Sequence, residues 1–150
     1  MNILSIIPAR GGSKGIKLKN LKIIDQKPLL DYSVNASLQS KWINKTVVSS
    51  DDPKILRRAK KLGAEFIERP KNISTDSSSI ETAIEHCLKY LEKKNNYIPE
   101  IIVLLQNTSP LRTSNHIDSA ITSFFKNKYD SLLSGYNSHH FIWKSNNKTI

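Results

Sequence analysis

The sequence predicts an α/β fold, a three-layer sandwich in which helices cover a mostly parallel central sheet. Short apolar runs, typical of buried strands, alternate with longer segments that carry apolar residues at helical spacing. This alternation extends over most of the 150 residues. It favours a parallel sheet, because right-handed crossovers return the chain to the same edge. The length is that of one domain, so we expect a single domain over 1–150.

Five strands and four helices are predicted. The first strand, Asn2–Ile7, is an apolar run that ends at Pro8, a residue with no N–H to donate to a sheet ladder. The run Ile101–Gln106 is almost entirely apolar, which predicts a strand at the centre of the sheet. The other predicted strands are Thr46–Ser49, Glu65–Glu68 and Asp130–Ser134, and the predicted helices are Leu29–Gln39, Pro53–Leu62, Ser78–Lys93 and Ser114–Lys126.

The composition is that of a globular protein, with 38% hydrophobic residues. No apolar run approaches the roughly 18 residues of a membrane-spanning helix, so no membrane partner is expected. The N-terminal strand pattern lacks the basic region and cleavage site of a signal peptide. The single cysteine, Cys87, cannot form an internal disulfide, and a cytoplasmic location follows as the default expectation.

The net charge of +10 raises the possibility of an anionic partner. A basic RNA-binding domain is one alternative. The lysines are scattered over most segments, however, and aromatic residues do not interleave with them as base-stacking platforms would. We therefore expect no nucleic-acid partner and favour an anionic small molecule together with a lysine-rich, solvated surface.

Glycine and basic residues follow the first predicted strand directly. Residues 10–15 are Arg-Gly-Gly-Ser-Lys-Gly, and Lys19 and Asn20 come shortly after. Glycine lets backbone N–H groups approach a ligand, and nearby cations favour polyphosphate. The P-loop pattern fails because Ile16 stands where it requires lysine, and the dinucleotide pattern fails because two glycines are adjacent. From the composition of this segment alone, a polyphosphate site and a solvated basic turn are equally supported.

Polar residues also follow the second and third predicted strands. Asp51 and Asp52 precede Pro53, an arrangement typical of a helix N-cap, although a metal carboxylate at this edge is the alternative. Arg69 follows the third strand, where its guanidinium could bind a phosphate or carbonyl, or pair with a surface carboxylate. Glu81 comes three residues after Ser78, which predicts a capping box.

The helix predicted after this segment carries one apolar stripe. Cys87 lies in that stripe, so we expect it to be a core residue and not a nucleophile. His86 lies off the stripe and is expected to face solvent. After the fourth strand come Gln106 and several hydroxyl residues, which the strand order brings to the same edge as the first loop. Such groups can form hydrogen bonds with sugar hydroxyls.

Taken in order, these segments resemble the CMP-sialic acid synthetase (acylneuraminate cytidylyltransferase) family. That family has a strand, Pro-Ala-Arg, a Gly/Ser/Lys loop and Lys-Asn, as at residues 8–20. Its Val-Ser-Ser/Thr-Asp segment is similar to residues 48–51, and its Arg-Pro and Ser/Thr-Asp-Ser segments to residues 69–79. Residues 105–112 resemble its Leu-Gln-Pro-Thr-Ser-Pro-Leu-Arg segment, with Asn107 where proline is usual. The resemblance implies a nucleotide-diphospho-sugar transferase-like (Rossmann-like) fold.

The resemblance also implies roles for individual residues. Three cations that would hold the triphosphate and act in catalysis are Arg10, Lys14 and Lys19. Residues that would bind the nucleotide are Ala9, Gly11, Gly12, Ser13, Asn20, Arg69, Ser78 and Ser79. Residues that would orient the sugar are Gln106, Ser109 and Arg112.

The implied reaction joins CTP to a nonulosonic acid, an N-acylneuraminate or a related sugar, and releases pyrophosphate. The resemblance further implies Mg²⁺ bound with CTP, a homodimer, and a role in carbohydrate biosynthesis such as that of lipopolysaccharide or capsule. It places the family's paired-carboxylate metal site and dimer arm beyond residue 150, so no metal ligand is assigned here. A non-catalytic nucleotide-binding fragment is the alternative, and the sequence does not indicate which nonulosonic acid would be used.

Overall fold

Four parallel strands form the central sheet in the part of the chain that the structure describes. The structure, a computed structural model, describes residues 1–12 and 15–135, with the backbone of residues 144–145 and 148–149. The strands are β1 (Ile3–Pro8), β2 (Ile23–Ile24), β3 (Lys27–Pro28), β4 (Lys45–Ser50), β5 (Glu65–Glu68), β6 (Ile101–Leu104), β7 (Lys144–Ser145) and β8 (Lys148–Thr149). The helices are α1 (Leu29–Leu38), α2 (Pro53–Lys61), α3 (Ile80–Asn95) and α4 (Ser114–Asn127), and short 3₁₀ turns span Lys19–Leu21 and Lys71–Ile73.

The strand order places every loop of interest at one edge. The four-stranded sheet has the order β5-β4-β1-β6, and each neighbouring pair is parallel. The carboxyl ends of all four strands therefore point the same way. The first glycine-rich loop follows β1, the two aspartates follow β4, Arg69 follows β5 and Gln106 lies just beyond β6.

Helices cover both faces of the sheet, which gives the predicted three layers. Alternate residues of β1 face opposite sides. Ile3 and Ile7 pack with α1, α2 and α4, in a cluster that includes Val34 and Ile121. The opposite face packs against α3 through Leu4, Ile6, Val47, Ile67, Cys87 and Leu91. The predicted α/β sandwich with a parallel sheet is confirmed.

Three buried hydroxyl groups interrupt the first of these apolar layers. Ser37 on α1 donates from its Oγ to Ser5 Oγ on β1 at 2.7 Å, and its oxygen lies 2.7 Å from Thr46 Oγ1 on β4. Ser5 and Thr46 are direct partners in the register of the two strands. Each of these three hydroxyls thus has a partner, as is usual for buried polar groups.

Most of the predicted elements are present with boundaries within about two residues, but one strand is wrong. Residues Asp130–Ser134 are not a strand, because among the described residues they pair with no neighbouring strand. Leu133 is 89% exposed. The predicted strand Ile101–Gln106 is shorter, ending at Leu104.

The predicted central position of that strand is also wrong. Within the described residues, β6 lies at an edge of the sheet and pairs with β1 alone. Ile102 is 40% exposed as a result. An apolar run predicts a strand but does not predict its place in the sheet, because burial depends on what packs against it.

The sequence prediction missed the hairpin formed by β2 and β3. Its two central residues, Asp25 and Gln26, both have positive φ, 45° and 73°. Two such residues are typical of a type I′ turn, for which Asn-Gly is the usual signature. The signature is absent here, and the strands have two residues each, so no run of apolar alternation marks them.

Candidate functional site

The first loop is anchored to β4 by its own backbone. Ala9 N donates to Ser49 O at 2.9 Å, which extends the β1–β4 ladder by one step beyond Pro8. Gly11 N donates to the Oδ1 of Asp51 at 2.9 Å. Gly11 also lies against Asp52, where an added Cβ would come within 2.8 Å of the aspartate Cβ. The close approach explains why glycine occupies this position.

The two aspartates have different roles. Asp52 is the N-cap of α2, and its carboxylate accepts from Lys54 N at 2.7 Å and Ile55 N at 3.2 Å, with Pro53 in the first turn. The predicted cap is therefore confirmed. Asp51 instead binds the first loop, a role that the sequence prediction missed, since its partner lies forty residues earlier in the chain.

Two side-chain amides hold the start of the loop from the other side. Asn20 Nδ2 donates to the carbonyl of Arg10 at 3.0 Å. Asn107 Nδ2 donates to Asn20 Oδ1 at 3.0 Å and approaches the carbonyl of Pro8 at 3.4 Å. Both amide side chains are buried. The structure thus brings Asn20 to the loop, as expected, and adds Asn107.

Arg10 connects the first loop to the segment before α3. Its guanidinium donates from Nη1 to the carbonyl of Thr75 at 2.9 Å and pairs through Nη2 with Asp76 Oδ1 at 2.7 Å. Ser78 Oγ accepts from Thr75 N at 3.0 Å, and Ser79 Oγ accepts from Thr82 N at 3.3 Å. The structure therefore places Arg10 against the turn that contains Ser78 and precedes the Ser79 cap of α3.

The capping box predicted for Ser78 and Glu81 is wrong. The N-cap of α3 is Ser79, one residue later, and the helix begins at Ile80. Ser78 closes the preceding turn with Thr75. Hydrogen bonds from the backbone N–H of Glu81 and from Ser79 lower the pKa of Glu81 in the first turn of the helix. Because several serines are adjacent here, either Ser78 or Ser79 could be the N-cap, and the local spacing did not distinguish the two.

Arg69 is buried at the centre of this edge. Its backbone N–H donates to Ser50 O at 2.8 Å, and only 6% of the residue is exposed. Its Nη2 makes one long contact of 3.5 Å to Ser49 O, and its Nε has no partner among the described residues. Burial lowers the pKa of the guanidinium, and the charge of Asp51 partly opposes that shift. A buried cation with an unpartnered donor is typical of a binding group.

His86 contributes to the same region, contrary to the prediction that it faces solvent. It is half-buried, and its Nδ1 is buried without a hydrogen-bond partner in the described part of the chain. Burial lowers the pKa of His86, and the positive charge of Arg69 lowers it further. Both effects disfavour the protonated form of the His86 imidazole. The spacing of apolar residues along α3 did not indicate that His86 lies near this cation, because Arg69 comes from another element.

Cys87 is fully buried in the α3 layer, which confirms the prediction that it is a core residue. Burial raises the pKa of its thiol, an effect that the Ser49 hydroxyl and the charge of Arg69 partly oppose. A raised pKa keeps the sulfur protonated and unreactive.

The three predicted sugar-binding residues line one groove. Gln106, Ser109 and Arg112 are among the residues that line a groove of about 680 Å³ between β6, α4 and residues 130–134. Arg112 Nη2 donates to the carbonyl of Gln106 at 2.9 Å, which folds the loop on itself. Burial lowers the pKa of Arg112. The part of the lining that includes Ile117 and Phe124 of α4 is apolar and does not suit a sugar acid.

The remaining predicted loop residues are less constrained. Lys19 is half-buried in the first 3₁₀ turn, and Gly12 is exposed. Ser13 and Lys14 lie outside the described residues, so their predicted roles stay predictions. Within the described part of the chain, no three His, Cys, Asp or Glu residues form a group that could hold a metal ion by themselves. No helix of the described residues is long and apolar enough to cross a membrane.

Comparison with known proteins shows the class to which this fold and site belong. The model of the cytidylyltransferase family matches residues 4–149. An N-acylneuraminate cytidylyltransferase from Escherichia coli is 38% identical over 133 residues, which are 88% of this chain and 30% of that protein. A pseudaminic acid cytidylyltransferase from Campylobacter jejuni is 38% identical over 135 residues, 89% of this chain and 57% of that protein. The chain belongs to the cytidylyltransferase family.

Solved structures support the same fold. CMP:2-keto-3-deoxy-manno-octonic acid synthetase, complexed with CTP, superposes with a TM-score of 0.69 at 20% identity, covering 85% of this chain and 49% of that one. The 4-diphosphocytidyl-2C-methyl-D-erythritol synthase superposes with a TM-score of 0.71 at 10% identity, covering 99% and 68%. Among the curated relatives named above, the chain spans 30% of one and 57% of the other.

Proposed function

We propose that this chain binds CTP at the carboxyl edge of its sheet and takes part in transferring CMP to a nonulosonic acid. The observation that carries the proposal is Arg69, a buried guanidinium whose Nε lacks an acceptor among the described residues. A carbonyl oxygen of a pyrimidine ring would supply that acceptor and offset the cost of burying the charge. The relatives that are named for CTP-dependent sugar-acid activation support this choice of ligand.

The arrangement around Arg69 suits the remainder of a nucleotide. In the proposed site, Arg69, Asn20 and the Ser78–Ser79 turn hold the cytidine. The backbone of residues 9–13 meets the triphosphate, together with Arg10, Lys14 and Lys19. The N–H groups of Ala9 and Gly11 already donate to Ser49 O and Asp51 and hold the loop in place. The loop therefore does not have to be reordered when an anion binds to its other donors, which favours affinity. Gln106, Ser109 and Arg112, the polar residues of the loop that lines the groove, would orient the sugar acid.

In the proposed reaction, the anomeric hydroxyl oxygen of the sugar attacks the α-phosphorus of CTP. A new P–O bond forms, the bond to the β-phosphate oxygen breaks, pyrophosphate leaves, and the hydroxyl proton is released to solvent. The protein needs little covalent chemistry for this step. Holding the two substrates in line accounts for much of the rate. Cations beside the leaving pyrophosphate stabilise the charge that grows on it.

Magnesium fits this proposal as an ion that arrives with the nucleotide. Mg²⁺ commonly binds through substrate phosphates, water and one or two carboxylates, not through a complete protein cage. Among the described residues, Asp51 is a carboxylate that accepts a hydrogen bond from the backbone of the first loop, and it could contribute one ligand. When bound, the ion would neutralise phosphate charge.

The proposal is tested by two measurements on the same preparation. Calorimetry with CTP, ATP and GTP should show CTP bound in preference, since a small pocket walled by backbone would exclude purines. Pyrophosphate release with CTP, magnesium and a panel of sialic, legionaminic and pseudaminic acids should then identify the sugar. Equal affinity for the three nucleotides would overturn the proposed site. Selective binding of CTP without turnover would favour the alternative, a nucleotide-binding unit that requires more of the relatives' length for catalysis.

Lys14 provides a sharper test of the role of the first loop. Lys14→Ala should lower the rate of pyrophosphate release by about 10²–10³, by analogy with the loss of one preorganised donor. The thermal midpoint should change little, because so polar and glycine-rich a segment is not expected in the core, and substitutions outside the core usually alter stability by less than about 0.5 kcal/mol. The matched control is Lys17→Ala, which removes an equal charge from the exposed part of the same loop. Near-normal turnover in Lys14→Ala would remove the lysine from the mechanism.

A further inference from the structure

We propose that Asn107 is a positioning residue of the nucleotide site, acting with Asn20 as a pair of amides that fixes the first loop before a nucleotide binds. The inference rests on the proposed function for its effect on CTP. It assigns a role to a side chain in the loop after β6, which reaches across the sheet edge to residues almost a hundred positions earlier. Asn107 is 4% exposed.

The orientation of both amides follows from the two carbonyl groups that they contact. The carbonyl of Arg10 can only accept, so the Asn20 atom 3.0 Å from it must be the nitrogen. Asn20 Oδ1 therefore points to Asn107, and only the nitrogen of Asn107 can donate to it, at 3.0 Å. The same nitrogen also approaches the carbonyl of Pro8, another acceptor, at 3.4 Å. Flipping either amide would bring oxygen against oxygen.

The two carbonyls that the amides bind flank a single residue, Ala9. The N–H of Ala9 is itself bound to Ser49 O at 2.9 Å, and the N–H of Gly11 to Asp51 at 2.9 Å. The backbone from Pro8 to Gly11 is thus held on one side by β4 and on the other by the amide pair. The contacts leave this short segment little freedom, although it lies where the strand has already ended. Such preorganisation contributes to ligand affinity.

The two nitrogen contacts and the unused oxygen of Asn107 indicate which end of the amide matters. Asn107 Oδ1 is buried and has no hydrogen-bond partner among the described residues. A buried acceptor without a partner destabilises the folded state, but an apolar side chain at this position would leave the buried Asn20 Oδ1 without its donor. The nitrogen makes both useful contacts, so the geometry points to the donor as the reason for asparagine.

The pair also connects two parts of the site. Asn107 directly follows Gln106, whose carbonyl accepts from Arg112 at 2.9 Å. A shift of the first loop would therefore also displace the loop after β6, which carries the proposed sugar-binding residues. Contacts of this kind couple neighbouring sites, and coupled residues give non-additive effects when both are changed.

The experiment compares wild type with Asn107→Ala, Asn107→Asp, Asn20→Ala and the Asn20→Ala/Asn107→Ala double variant. The dissociation constant for CTP is measured by calorimetry, and amide hydrogen exchange is followed at residues 9–11. Asn107→Ala should raise the dissociation constant about 10-fold, as expected for the loss of one or two hydrogen bonds. Asn107→Asp should raise it further, because its carboxylate would face two acceptors. The double variant should be little worse than the more affected single variant.

Two controls separate positioning from general destabilisation. Thr108→Ala changes the exposed neighbour in the same loop and should leave both readouts unchanged. Ile121→Val, in the core contributed by α4, should lower the thermal midpoint without changing CTP affinity. An Asn107→Ala protein with a lowered midpoint but wild-type affinity and wild-type exchange at residues 9–11 would overturn the inference.

The same measurements distinguish failure of the proposed function from failure of this inference. If the wild-type chain binds no CTP, the proposed function fails, and hydrogen exchange alone then decides the role of the amide pair. Faster exchange of the Ala9 and Gly11 amides in Asn107→Ala, but not in Ile121→Val, would support the pair as the device that holds the loop. Equal exchange in wild type and Asn107→Ala would overturn it.

Discussion

Replacing Gly11 by alanine tests how closely the first loop is fitted to the start of α2. The new Cβ would lie 2.8 Å from Asp52 Cβ and 3.0 Å from Asp52 Oδ2. Ordinary contacts begin at 3.4 Å, so about 0.6 Å must be gained by movement. If Asp52 moves, the cap of α2 weakens at a cost of about 1 kcal/mol. If the loop moves instead, the hydrogen bond from Gly11 to Asp51 weakens at a similar cost.

The net loss of stability is the cost of the weakened hydrogen bond plus the strain of overpacking, less the gain from restricting the unfolded chain. Inserting a methyl group into a close-packed site costs about 1–3 kcal/mol. Alanine recovers about 0.4–1 kcal/mol because it restricts the unfolded chain. We therefore expect Gly11→Ala to lower the free energy of unfolding by about 2 kcal/mol. The thermal midpoint should then fall by about 4–8 °C for a chain of this length.

Gly12→Ala is the matched control, since it makes the same chemical change one residue later. An added Cβ at Gly12 meets no described atom within 4 Å, and its φ lies outside the left-handed region. Its stability should stay equal or rise slightly. Urea unfolding and thermal melting of the two variants, measured side by side, decide the question. Equal midpoints for Gly11→Ala and Gly12→Ala would show that the loop is not packed against Asp52 as described.

Three further predictions concern the core and pH. Arg58→Ala should lower the free energy of unfolding in urea by about 3–5 kcal/mol, because it leaves the carboxylate of Asp31, which is 2% exposed, without its guanidinium partner. Asp31→Ala should cost less, since the Arg58 side chain is 29% exposed and can reach water. The reverse order of the two losses would contradict this reasoning. Cys87→Ser should lower stability by roughly 1–3 kcal/mol yet leave CTP affinity unchanged, and lost binding in a folded variant would indicate a role in the site. The lowered pKa of His86 means that the unfolded state binds more protons below about pH 6.5, so stability should fall as the pH drops, and His86→Gln should reduce that fall. An unchanged pH dependence in His86→Gln would assign it to other groups.

Local patterns predicted the scaffold well because each depends on nearby residues. The apolar run of β1, the helix start at Pro53 and the stripe that contains Cys87 are all decided within a few positions of the chain. The parallel order of the strands then follows from the alternation of elements, and it brings Arg69 and Gln106 to the edge that carries the first loop.

The failures share a dependence on partners that lie far apart in the sequence. Asp130–Ser134 has strand-like residues, but a strand requires a neighbour, and the described residues provide none. The importance of Asp51 depends on the backbone of Gly11, and that of Asn107 on Asn20, 87 positions away. The prediction that His86 faces solvent failed for the same reason, because the charge of Arg69, which acts on His86, comes from another element of the fold.

The buried hydroxyl cluster of Ser5, Ser37 and Thr46 favours one register between β1 and β4. A slip of one residue between β1 and β4 would turn Ser5 and Thr46 to opposite faces of the sheet. Ser37 on α1 would then lose at least one of its partners and leave hydroxyl groups buried without hydrogen bonds, at about 1–3 kcal/mol each. An all-apolar layer would tolerate such a slip far better. Because both glycine-rich and aspartate-bearing loops start where these strands end, the cluster sets the alignment on which the contact between Gly11 and Asp51 depends.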